Sequence, residues 1–196
     1  MSPTRGPYAR GRRSRDAVLD VALAVIAQKG YGAASLRAVA DGAGMTPAGL
    51  LHHFGTRENL FTEVLRARDE ADRAAFPDDP AARYPRLVRL ARHNLTVPGL
   101  VRLHVALAAA AADPAHPAHE FFRERATRVH AAVAADVRNR QRAGSFAADV
   151  DATHFGRVLT ASSDGLQAQW TVDPSIDPPG VLEQLWDRFA LAGTPD

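Results

Sequence analysis

Chemistry in this chain falls to arginine, histidine and carboxylate side chains, because the 196-residue sequence contains no cysteine. That excludes disulfide frameworks, thiolate nucleophiles, zinc ribbons and cysteine-ligated iron–sulfur clusters. The sequence holds no Gly-x-Ser-x-Gly, P-loop, Rossmann glycine fingerprint or His-Glu-x-x-His, and its carboxylates are scattered along expected solvent faces. His116, His119 and Glu120 sit together in a proline-bearing stretch, a spacing more often polar than metal-ligating, so no metal and no cofactor is expected.

The arginines are unevenly placed. Residues 1–57 hold eight bases against three acids, a charge of +5, whereas the whole chain carries only +2. A basic head on a neutral-to-acidic body suits an anion-binding head, and nucleic acid is the large anion such a head most often meets, although basic tails are also commonly just solvated. Within the head, residues 35–54 read Ser-Leu-Arg-Ala-Val-Ala-Asp-Gly-Ala-Gly-Met-Thr-Pro-Ala-Gly-Leu-Leu-His-His-Phe. Ser35 and Thr46 are N-cap residues, Pro47 suits a first helical position, and Gly42 and Gly44 break the chain between two short helices. Two such rods around a tight turn have the shape of a helix-turn-helix, in which one helix braces the backbone and the other enters the major groove.

The surrounding elements are helical as well. Leu19, Ala22, Leu23 and Ile26 form one buried stripe over residues 16–29, with Gly30 as the stop, and Thr56 opens a fourth helix that runs until Pro77 and Pro80 interrupt it. Further helices are predicted over 84–95, 99–112, 118–142, 151–171 and 179–191, with residues 145–150 ambiguous. Apolar residues make up 46% of the chain, enough for a packed core. The longest apolar run, 105–112, falls short of the roughly 18 residues a bilayer span needs, and no secretion signal is expected. The fold class is therefore all-α: an N-terminal three-helix helix-turn-helix domain and a larger C-terminal helical bundle. The expected organisation is a basic flexible arm over 1–14, the helix-turn-helix domain over 15–60 and the helical body over 61–196.

The ordered set 18–22 (Val-Leu-Asp-Val-Ala), Gly30-Tyr31, 35–40, 43–46, Leu50-Leu51-His52-His53-Phe54 and Arg57-Glu58-Asn59-Leu60 resembles the TetR family of transcriptional regulators. That resemblance implies a cytoplasmic, bacterial homodimer, nucleoid-associated when bound to DNA, whose recognition helices occupy successive major grooves of a double-stranded palindromic operator. It implies repression until a small-molecule effector binds the body, to which it assigns ligand binding, regulation and dimerisation. Carried onto this sequence, Arg37 meets phosphate, Pro47, Ala48, Gly49, Leu51 and His52 lie nearest the bases, His53 and Arg57 meet the backbone, and Ser35 and Thr46 complete the DNA-contacting set. Arg12 and Arg13 form an arm that either reaches DNA or stays solvated. Leu51 stands where the family commonly has Tyr, and Arg57 where it commonly has Lys. With few polar groups on the recognition helix, thymine-methyl contact and DNA shape are expected to contribute to readout.

In the body, residues 116–122, 164–170 and Asp173-Pro174 are similar to pieces of one TetR subgroup's regulatory domain. Arg102, His104, Phe121, Phe122 and Trp170 are the candidate ligand-binding residues. Phe155, Leu159, Ser162 and Leu166, with Leu182, Leu185 and Phe189, form two stripes expected at a four-helix dimer interface, the alternative being that both pack inside one subunit. A non-catalytic carrier of small molecules and an enzyme are the competing function classes; no enzymatic activity is expected.

Overall fold

A computed structural model describes residues 7–79 and 81–191, with side chains from Arg15 onward. Among the described residues nine helices follow in order: α1 Pro7–Lys29, α2 Leu36–Ala43, α3 Pro47–Phe54, α4 Arg57–Ala75, α5 Arg86–Asn94, α6 Pro98–Ala110, α7 His119–Arg142, α8 Ala152–Val172 and α9 Pro178–Asp187. The ambiguous stretch after α7 makes one isolated bridge, Phe146 to Ala190.

The helix boundaries follow local chemistry. The Ser35 hydroxyl accepts from the Ala38 N–H, Thr46 from Gly49 and Thr56 from Asn59, each at 3.0–3.1 Å, so three successive helices start on side-chain caps. Gly44 ends α2 at φ +63°, a left-handed conformation that glycine adopts without a Cβ clash. In α5 the start falls after Pro85 rather than at Tyr84, since a residue before proline is pushed out of the helical region. Residues 7–14, expected as a free arm, instead continue α1 toward its N-terminus. The Arg12 and Arg13 side chains lie outside the described residues.

Two apolar cores hold the helices together. The first joins α1–α4 to α6 and the start of α7, through Ile26, Val39, Leu50, Leu60, Phe61, Leu103, Leu107 and Phe121. The second joins α5, α7, α8 and α9 around Trp186, Phe146, Phe155, Leu159 and Leu182. The head is therefore seated on the body by shared burial. The boundary expected at residue 60 falls inside the continuous helix α4. At the seam a Cβ on Gly99 would stand 2.6 Å from the Ala27 Cα and from the Ile26 carbonyl oxygen, so α6 and α1 approach backbone to backbone.

Candidate nucleic-acid interface

The short helix α3 divides cleanly between a core face and a solvent face. Leu50 and Phe54 are buried, which turns Pro47, Ala48, Leu51, His52 and His53 outward, and Gly49 is half-buried. Leu51 is 41% exposed on that solvent face. The rings of His52 and His53 meet edge to face at 5.7 Å. Thr46 and Ser35 are exposed while their hydroxyls cap α3 and α2. Arg37, in the first turn of α2, is exposed and makes no hydrogen bond or ion pair among the described residues. One exposed surface thus carries a free guanidinium, the N-termini of two helices and an apolar-plus-imidazole patch on a helix narrow enough for a major groove.

Arg57, expected against the DNA backbone, is tied within the subunit. Its Nη2 donates to the Tyr31 and Ala34 carbonyls at 2.8 and 3.0 Å, and its Nε to Ala34 at 3.1 Å. The guanidinium lies 4.7 Å from both the Tyr31 and Phe61 ring centroids. It therefore ties the start of α4 to the loop between α1 and α2 and sets the angle at which the helix-turn-helix is held. Arg15 makes a second brace, pairing with Glu63 at 2.9 Å and lying over the Phe54 ring. Neither brace was legible in the sequence, because each joins residues at least 23 positions apart.

Residues 18–64 match the family model described as bacterial regulatory proteins, tetR family. Over this head the chain is similar to the TetR family. Among curated relatives, the HTH-type transcriptional repressor KstR2 of Rhodococcus jostii is 35% identical over 78 residues, 40% of this chain and 33% of the relative. KstR2 of Mycolicibacterium smegmatis is 40% identical over 52 residues, 26% of this chain and 25% of the relative. The chain thus spans about a third or less of the curated relatives it matches. The likeness of fold extends further: a crystal structure of a TetR regulator from Haloarcula marismortui aligns with TM-score 0.74 at 19% identity, over 92% of this chain and 100% of that one. A regulator from Saccharomonospora viridis, crystallised with choline, aligns with TM-score 0.70 at 22% identity, over 92% of this chain and 99% of that one.

The C-terminal body brings the candidate ligand residues together only in part. His104, Phe121 and Phe122 meet, with ring centroids 5.1–5.2 Å apart, and His104 and Phe121 line a small cavity of about 40 Å³ with Arg68, Asp72, Arg125 and Gln167. Arg102 is exposed and Trp170 half-buried, and neither lines that cavity. Burial holds His104 below the usual histidine range, outweighing the Asp164 carboxylate 3.6 Å away. Burial pushes Asp164 upward, but the hydrogen bond and charge of His104 and the charge of Arg125 outweigh it and leave its carboxyl below the usual range. Of the loop histidines, His116 accepts from the Ala118 N–H and His119 meets the Ala111 carbonyl through Nδ1.

The expected dimer stripes pack largely inside the subunit. Phe155, Leu159 and Leu182 are buried against Trp186, Val133 and Val137, and Phe189 packs on Phe146 and Phe155. Ser162, Leu166 and Leu185 are half-buried. The large aromatics turn inward because they offer most area to bury. Their rotation leaves a different stripe outside: Val158, Ala161, Gly165 and Val172 on α8, beside Val181 on α9.

Proposed function

We propose that the chain is a sequence-specific DNA-binding transcriptional regulator, a homodimeric repressor released from a palindromic double-stranded operator by a small-molecule effector, acting in the bacterial cytoplasm and without catalytic activity of its own. The observation that carries this reading is the α2–α3 face, where every core-forming side chain points inward and Arg37, Leu51 and His52 are left for a partner. In this reading Arg37 contacts phosphate through its free guanidinium. Pro47, Ala48, Gly49, Leu51 and His52 face base edges, His53 flanks the backbone, and Ser35 and Thr46 present helix N-termini to phosphates. Arg57 contributes by orientation. The domain division follows the same logic, with α4 as the element shared by head and body.

Dimerisation is assigned to the outward stripe of α8 and α9, where Ala161 and Gly165 let two backbones approach and Val158, Val172 and Val181 supply apolar area. α4 couples the halves: Arg57 at its first turn holds the head, and Asp69 and Arg73 near its end border a cavity in the body. The test is selection of bound duplexes from a random pool. Enrichment of an inverted repeat with half-sites about one helical turn apart is expected. His52→Ala and Leu51→Ala should each shift base preference at one position per half-site, whereas Arg37→Ala should weaken all sequences alike and flatten the salt dependence. A pool that stays unenriched would overturn the reading.

A further inference from the structure

A cavity of about 230 Å³ lies between the C-terminal half of α4, the start of α5 and the middle of α7. None of the residues that the sequence nominated for ligand binding lines it, although it shares Asp69 and Arg125 with the small cavity beside His104 and Phe121. Its apolar wall is made by Leu87 and Leu90 of α5 and by Val129 and Val133 of α7. Its polar end is one carboxylate, Asp69, shared by three guanidiniums: Arg73 at 3.0 Å, Arg125 at 3.3 Å, and Arg128. The acids on the other side have partners of their own. Asp136 pairs with the buried Arg140, Asp78 with Arg86, and Asp79 accepts the Ala81 N–H.

Three guanidiniums bring five N–H donors each, and one carboxylate offers about four lone-pair sites. The donors of three guanidiniums outnumber what one carboxylate can accept, and planar guanidinium forks select carboxylate geometry through paired N–H donors. The volume corresponds to roughly eight waters at about 30 Å³ each, which admits a molecule of about ten non-hydrogen atoms. The geometry points to this cavity as a binding site for a small amphipathic carboxylate, its anionic head on Arg125 and Arg128 beside Asp69 and its apolar body along Leu87, Leu90, Val129 and Val133. Four arginines and four aspartates line the cavity as a whole, but at the Asp69 end three guanidiniums meet one carboxylate, so that end disfavours a lone cation and an uncharged chain leaves its guanidiniums unmatched. As the effector site this assignment rests on the regulatory reading of the body; as a binding site it does not.

Calorimetry on the full chain with sodium octanoate, 1-octanol and octylammonium chloride tests it. Octanoate should bind at least about tenfold tighter than the other two, and Arg125→Gln with Arg128→Gln should weaken it by about tenfold to a hundredfold. Ala132→Leu, which fills the cavity from α7 and keeps the arginines, should abolish binding, and this covers the case in which the double variant misfolds. Octanoate binding no tighter than octanol, or unchanged by these variants, would overturn the site. Operator anisotropy separates the two readings. Binding of octanoate without release of DNA upholds the site and removes its effector role, whereas release that persists in Ala132→Leu places the effector elsewhere and overturns this one.

Discussion

Replacing Arg57 separates a structural brace from a phosphate ligand. Arg57→Lys keeps the charge but loses the fork that reaches the Tyr31 and Ala34 carbonyls together at 2.8–3.1 Å, and an ammonium cannot lie flat between the Tyr31 and Phe61 rings. Hydrogen bonds to a charged group are worth about 1.5–3 kcal/mol, and a cation–π contact about 0.5–1 at a partly exposed site. The side chain is 27% exposed, so water recovers part of the loss. The expected cost is about 1–2 kcal/mol for Lys and about 3 for Ala. For a chain of this size that lowers the melting temperature by about 4 °C and 8 °C respectively. Operator affinity measured against salt supplies the second readout, since each phosphate contact contributes about 0.9 to the slope. As a brace, Arg57 leaves that slope unchanged in both variants. A phosphate ligand would lower it by about 2 per dimer in Arg57→Ala and spare Arg57→Lys. An Ala variant that melts like the parent while its slope falls would refute the brace.

The remaining predictions address the seam, the buried histidine and the dimer face. Gly99→Ala forces a methyl group into the backbone contact with Ala27. It should cost about 1–3 kcal/mol and reduce operator affinity while octanoate binding persists, since the overpacking lies at the head–body seam; an unchanged melting temperature would contradict that close approach. His104, held below its ordinary value of 6.5 by burial despite Asp164, and with Arg125 and Asp69 also acting on it, takes up a proton more readily in the unfolded state. Stability should therefore be full above about pH 6.5 and decline as the pH falls through that value, and His104→Gln should flatten this decline in urea titrations at pH 7.5 and 5.5. An equal decline in the variant would assign it to other groups. Val181→Asp places a charge on the outward stripe of α9, and sedimentation should show a monomer with unchanged helical content; a persisting dimer would move the interface elsewhere.

The helix-turn-helix was legible because its determinants are local. Ser35, Thr46 and Thr56 act within three residues of themselves, and Gly44 encodes its own left-handed turn. What escaped the sequence depends on partners far along the chain. Arg57 has the same charge whether it meets phosphate or the carbonyl of Ala34, and only the packed loop decides. On α8, the rows through Phe155 and Val158 both repeat with helical spacing, so periodicity cannot tell which faces the core. Side-chain size decides it, and Phe155 and Leu159 take the interior. The cavity requires α4 to meet α7, bringing Asp69 to Arg125 and Arg128 across 56 and 59 residues. His104 interrupts an apolar run and lines a small cavity with Phe121, but Arg102, which interrupts the same run, is exposed.

Because the chain has no cysteine, Ala48→Cys creates a unique thiol on the exposed face of α3, to which an iron–EDTA cleaving group can be attached. On the selected duplex, two clusters of strand cleavage about 10–10.5 base pairs apart, both assigned to the major groove, are the predicted result. Cleavage spread evenly along the duplex, or confined to a single cluster, would contradict the presentation of paired α3 helices to successive grooves.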